Sequence, residues 1–163
     1  SAETFWGGVE GNTRFIQRVK DQSDLDVSTG ASSCRAALER LGCKRIAVIS
    51  PYQPIADKNV TQYFEESGFK VVRFKGLRCP SATAIAEVRE DSMLKVLKEL
   101  NGPDVDAIVQ VGTNLSMVRL ANEAERWLEK PVLAINAVTL WHALRANGIT
   151  DRLRGFGSLL RDH

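Results

Sequence analysis

RIAVISPYQP, residues 45–54, places four apolar residues in an unbroken run and then stops at a Pro-Tyr-Gln-Pro loop. A short apolar run that ends in a turn signal is the pattern of a strand buried on both faces. Such a strand needs helices on both sides, and the flanking sequence supplies them. Upstream, CRAALERLG, residues 34–42, has helical spacing and stops at Gly42, with cap chemistry in the preceding Ser28, Thr29, Gly30, Ala31 and Ser32. Downstream, a helical pattern runs through Val60, Tyr63 and Phe64 to Gly68, and KVVRFKG, residues 70–76, reads as the next strand. After a loop at RCPSAT, the segments AIAEV and SMLKVLKEL are helical up to the break Asn101, Gly102, Pro103.

The alternation continues. VDAIVQV, residues 105–111, is a buried strand that opens into Gly112, Thr113 and Asn114 before a long helix with Leu115, Leu120, Ala124 and Leu128 on one face. PVLAIN, residues 131–136, is a further strand, followed by a helix with Leu140, Trp141, Ala143 and Leu144 that ends at Gly148. At the other end, Phe5 to Val19 recurs at helical spacing with a start loosened by Gly7, Gly8 and Gly11, and LDV, residues 25–27, is a short candidate strand. RLRGFGSLL, residues 152–160, carries no readable pattern. Strands separated by helices predict an α/β fold, a Rossmann-like parallel sheet with right-handed crossovers. The broad apolar face of the first helix is expected to need a partner.

A chain of 163 residues with 44% hydrophobic residues can bury an ordinary core. Its net charge of +2 is near balance and its cations are interspersed with acids, which argues against nucleic-acid and membrane partners. Three cysteines without a C-x-x-C pair fit reduced thiols and a cytoplasmic location better than disulfides or a zinc site. There is no leader-like start and no long apolar run. His142 stands without a second histidine or acid cluster at ligand spacing, so no metal is expected. Walker, G-x-G-x-x-G and G-x-S-x-G patterns are absent, which leaves nucleotide and triad-hydrolase readings without support.

In an open parallel sheet ligands bind beyond the carboxyl ends of the strands. That rule selects two loops. In the first, Pro51 and Tyr52 follow a buried strand, and the phenol either donates to a ligand carboxylate or simply covers the sheet edge. In the second, Gly112, Thr113 and Asn114 either converge as an anion cradle at a helix start, with Gly112 leaving room for the ligand, or serve only as a turn and N-cap. Cys34, in a first helical turn, is either a dipole-stabilised thiolate or a small buried residue. Cys79, on the loop after a strand, is either a nucleophile or acid, or bystander chemistry in a turn.

The segments FWGG, STGASSCRAALERLGCKRIAVISPY, VDAIVQVGTNL and WLEKPVLAINAVTLWHALRANGI together resemble the arylmalonate decarboxylase and maleate cis-trans isomerase branch of the aspartate/glutamate racemase superfamily. The resemblance implies two similar α/β lobes with the site between them, no cofactor, and acid-base or thiol-adduct chemistry on a small malonate- or maleate-like carboxylic acid. It assigns Tyr52 to carboxylate binding, Ser1 and Ala2 to a hydroxyl-bearing loop of the first lobe, and turns Asn114 toward the same pocket. Gly112 falls where the second lobe carries a catalytic cysteine, so the catalytic residue stays unknown and a thiol is expected at or before Ser1. On this alignment residues 1–42 are the remnant of an incomplete first lobe, 43–137 the second lobe, and 138–163 a helix and tail returning to the first. The resemblance thus adds an upstream companion fragment or a homo-oligomer to the expected partners, and leaves a non-catalytic carboxylate binder of the same fold as the alternative.

Overall fold

In the computed structural model, which describes residues 2–163, every residue of strand β1 (Arg45–Ser50) after Arg45 is buried. The reason is visible in the alternation of its side chains. Ile46 and Val48 point into one apolar cluster, and Ala47 and Ile49 into a second on the opposite face. Strands β2 (Lys70–Gly76), β3 (Ala107–Gln110) and β4 (Val132–Ala134) pair parallel with it in the order β2-β1-β3-β4. β3 repeats the two-faced pattern, with Ala107 and Val109 on the first face and Ile108 on the second. β2 lies at the sheet edge and is only half-buried, which is why it tolerates Arg73 and Lys75.

Helices cover both faces. Helices α2 (Gly30–Leu41), α3 (Pro54–Glu66) and α7 (Ile135–Ala146) contribute Ala37, Leu38, Val60, Phe64 and Val138 to the first cluster. Helices α5 (Glu90–Leu100) and α6 (Val118–Leu128) contribute Met93, Leu97, Leu120 and Ala124 to the second. A 3-10 turn at Ala2–Phe5 leads into α1 (Gly8–Ser23), which leans on α3 and leaves Trp6 half exposed. The short α4 (Ala82–Ala86) precedes α5, and α8 (Ser158–Asp162) closes the chain against α7. Among the described residues no helix is long and apolar enough to cross a membrane.

Four local expectations are corrected. Residues 25–27 form no strand: after the left-handed cap at Asp24 the chain runs exposed, with Leu25 67% accessible, and does not pair with the sheet. Helix α2 starts at Gly30 rather than Cys34, because Thr29 and Ser32 form a reciprocal capping box. The strand at 131–136 is cut to three residues, and α7 begins at Ile135. Gly112, Thr113 and Asn114 stand in a loop well ahead of α6, which begins only at Val118.

Candidate functional site

The connection from β1 to β2 runs to one side of β1, and β3 then pairs on its other side. Strand order therefore reverses between β1 and β3, and the crevice at their carboxyl ends is the position where such sheets take ligands. The two loops selected from the sequence leave from these ends. Ile49 pairs with Gln110, and the Val111 N–H donates to the Ile49 carbonyl at 2.9 Å, so the loops begin side by side.

Their contact is closer than the sequence suggested. Gly112 adopts a left-handed φ of 94°, and a Cβ placed on it would lie 2.5 Å from Pro51 Cγ and 3.7 Å from Tyr52 Cζ. The expectation that Gly112 leaves room is thus corrected in part: the space beside its Cα is taken by the proline ring. The hydroxyl-bearing end of Tyr52 lies over the same glycine. Pro51 is buried and Tyr52 half-buried.

Gln110, a polar residue 1% exposed inside an apolar strand, explains how the second loop keeps its shape. Its amide donates to the carbonyls of Val111 at 2.7 Å and Gly112 at 2.8 Å, while its oxygen accepts the Ile135 N–H at 3.4 Å. A buried amide satisfied on both ends locks the loop to the start of α7. Thr113 is exposed, and its carbonyl accepts from Asn136 at 3.0 Å. Asn114 is also exposed, but its amide donates to the Ala82 carbonyl at 2.8 Å, which ties it to α4. The signal for Gln110 was present in the sequence as the lone amide in VDAIVQV.

Ser1 lies outside the described residues. Ala2, half-buried, opens the 3-10 turn, and two residues on Thr4 meets the starts of α2 and α7: its Oγ1 accepts the Ala31 N–H at 3.4 Å, and a Cβ on Gly30 would touch both Ile135 Cδ1 and Thr4 Oγ1. The turn is thereby carried to the carboxyl end of the sheet. On the other side, the loop after β2 is laced to the Tyr52 loop, with the Leu77 N–H on the Ser50 carbonyl at 2.7 Å, the Cys79 N–H on the Pro51 carbonyl at 3.0 Å, and Gln53 Nε2 on the Cys79 carbonyl at 2.9 Å.

The thiols divide by burial. Cys34 is fully buried in the second turn of α2, and burial pushes its pKa up to about 12, which removes the thiolate reading. Cys79 is partly exposed, and burial also raises its thiol. His142 donates to or accepts from Ser33 Oγ at 2.9 Å, between α7 and α2, and stacks on Trp141. Among the described residues no group of three or more His, Cys, Asp or Glu side chains could hold a metal ion.

With this geometry in place, the comparisons with known proteins are specific. The model of the arylmalonate decarboxylase family matches residues 2–160. Maleate isomerase of Alcaligenes faecalis is 24% identical over 149 residues, covering 90% of this chain and 59% of the relative. Maleate isomerase of Nocardia farcinica is 27% identical over 162 residues, covering 95% of this chain and 64% of the relative. The structure of the Nocardia farcinica maleate cis-trans isomerase, as a cysteine-to-serine variant with a covalently bound succinylcysteine intermediate, superposes with a TM-score of 0.94 at 24% identity, over 99% of this chain and 69% of that one. The chain therefore spans about six-tenths of the length of these curated relatives.

Proposed function

This chain belongs to the arylmalonate decarboxylase family, and we propose on that footing that it is part of a cytoplasmic, cofactor-independent lyase or isomerase acting on a small malonate- or maleate-like carboxylic acid. The observation that supports this best is the meeting of Tyr52 and Gly112 at the β1/β3 crevice. In this reading Tyr52, Thr113 and Asn114 bind carboxylate oxygens, Pro51 and Gly112 shape the floor, and Ala2 borders the same pocket. Such donors do chemical work when charge develops on a substrate carboxylate, as in an enediolate or a thiol adduct, where each preorganised donor contributes a few kcal/mol.

The acid or nucleophile comes from outside the Gly112 loop. Glycine at 112 offers no thiol and Cys34 is sealed in the core, so the thiol falls to a cysteine of the first lobe, with Cys79, partly exposed on the loop laced to that of Tyr52, as the candidate within this chain. The same glycine supports a second reading, a protein that binds dicarboxylates without turnover.

Product analysis in deuterated water separates the two. An isomerase converts maleate to fumarate and a decarboxylase converts an arylmalonate to the α-deuterated monoacid, whereas dicarboxylate binding with neither product identifies the binder. Tyr52→Phe is expected to weaken maleate binding by about 1–3 kcal/mol through loss of one donor to a charged group. Unchanged affinity on calorimetry removes Tyr52 from the site.

A further inference from the structure

Ser50 ends β1 with its side chain wholly buried, so its hydroxyl requires partners. It has two. The hydroxyl donates to Asp57 Oδ1 at 2.5 Å, and the Tyr52 backbone N–H donates to Ser50 Oγ at 3.1 Å. The three residues form one directed chain from the Tyr52 amide through the Ser50 hydroxyl to the Asp57 carboxylate, in which each link polarises the next.

The far end of that chain is anchored. Asp57 stands in the first turn of α3, where the helix N-terminus favours a negative charge. Its second oxygen lies where a Cβ on Gly76, the last residue of β2, would come within 2.3 Å, so the carboxylate depends on glycine at that position. Burial raises the Asp57 pKa, and the Ser50 hydroxyl and the Arg78 charge oppose the rise.

A carboxylate this close to a loop that binds anions works against the ligand by like-charge repulsion. The cost is offset if the carboxylate fixes where the tyrosine stands.

We propose that Asp57 is a positioning residue for the Tyr52 loop, acting through Ser50 to hold the tyrosine ring over Gly112 in its ligand-binding posture. The inference rests on the reading of Tyr52 as a carboxylate donor. Neither Ser50 nor Asp57 touches the ligand in this arrangement.

The test is a double-mutant cycle on the whole chain, with maleate as the probe in calorimetry and hydrogen exchange of the Tyr52 amide followed by NMR. Asp57→Ala is expected to weaken maleate binding about tenfold and to expose the Tyr52 amide to exchange, with Ser50→Ala behaving alike. Asp57→Asn keeps an acceptor for the serine and recovers most of the affinity. In a Tyr52→Phe background, Asp57→Ala then adds less than about a threefold further loss, because both changes act on one interaction. Equal losses in the two backgrounds, or an Asp57→Ala chain that is folded by far-UV circular dichroism and binds normally, overturn the proposal. Absence of binding of both maleate and phenylmalonate by the unsubstituted chain overturns the functional reading instead. Tyr52 amide exchange then decides on the relay alone, and unchanged protection in Asp57→Ala overturns it.

Discussion

At position 112 two separate demands exclude a side chain. The φ of 94° is a conformation that L-residues other than glycine rarely adopt, and the Pro51 ring stands 2.5 Å from where a Cβ would be. Gly112→Ala is therefore expected to destabilise the chain by about 2–4 kcal/mol, read as a lower urea midpoint at unchanged slope. A midpoint within error of the original would show that the loop rearranges freely. By the same geometry Gly112→Cys does not install a thiol in place, since Pro51 must move first. The sequence marked this glycine through its position after a strand, but not the proline that fills its neighbourhood, because the two residues are far apart in the chain and meet only through the β1/β3 pairing. Asp57 was less legible still. In the sequence it is one more charged residue on a helix, and only the fold sets it against a serine seven residues earlier and a glycine on the next strand.

Elements were most legible where burial is two-sided. RIAVIS and VDAIVQV could be read as strands because Ile46 to Ser50 and Ala107 to Gln110 are all buried between helix-covered faces, whereas residues 25–27 share the composition of a strand but do not pair with the sheet. The start of α2 was misplaced for a different reason. Gly30, Ala31 and Ser32 read as cap residues ahead of the helix, yet the reciprocal bonds of Thr29 and Ser32 begin it at Gly30, and this carries Cys34 into the buried second turn. One consequence falls on the packing of α2 against α7, where His142 meets Ser33. Burial lowers the pKa of this imidazole, so the folded chain prefers it neutral while the unfolded chain takes up the proton first as pH falls. The contribution is complete above the ordinary histidine value of about 6.5 and is lost as pH falls toward the lower folded value. Denaturant midpoints across that range are expected to fall with pH in the original chain and less steeply in His142→Asn. Parallel profiles would remove His142 as a source of the slope.

The strand-helix alternation is enough to predict a parallel sheet, and the sheet order β2-β1-β3-β4 then fixes where its crevice lies. What the alternation does not reveal is how the chain end is attached. RLRGFGSLL is too short and too glycine-rich for a periodic signal, yet Leu159 and Leu160 are buried in the first cluster. The groups that hold the start of their helix lie on α6, more than thirty residues away: Glu125 accepts the Ser158 N–H at 2.7 Å and the Ser158 hydroxyl at 3.0 Å, and Asn122 accepts the Gly157 N–H at 3.0 Å. The same Glu125 carboxylate accepts the Val132 N–H at 3.1 Å, so one side chain joins α6, the start of β4 and α8. Glu125→Ala removes all three hydrogen bonds at once and is expected to cost about 2–3 kcal/mol, since hydrogen bonds to a charged group are the stronger kind. The loss should be local before it is global, because two of the three bonds fall on the first residue of the five-residue α8, while β1 and β3 are covered on both faces. Native-state hydrogen exchange should therefore rise over residues 157–163 with protection of Ile46 to Ile49 retained, and Glu125→Gln, which keeps an acceptor oxygen, should restore part of the protection. If exchange in residues 157–163 does not change in Glu125→Ala, the two leucines and the remaining hydrogen bonds hold the helix and the carboxylate is dispensable.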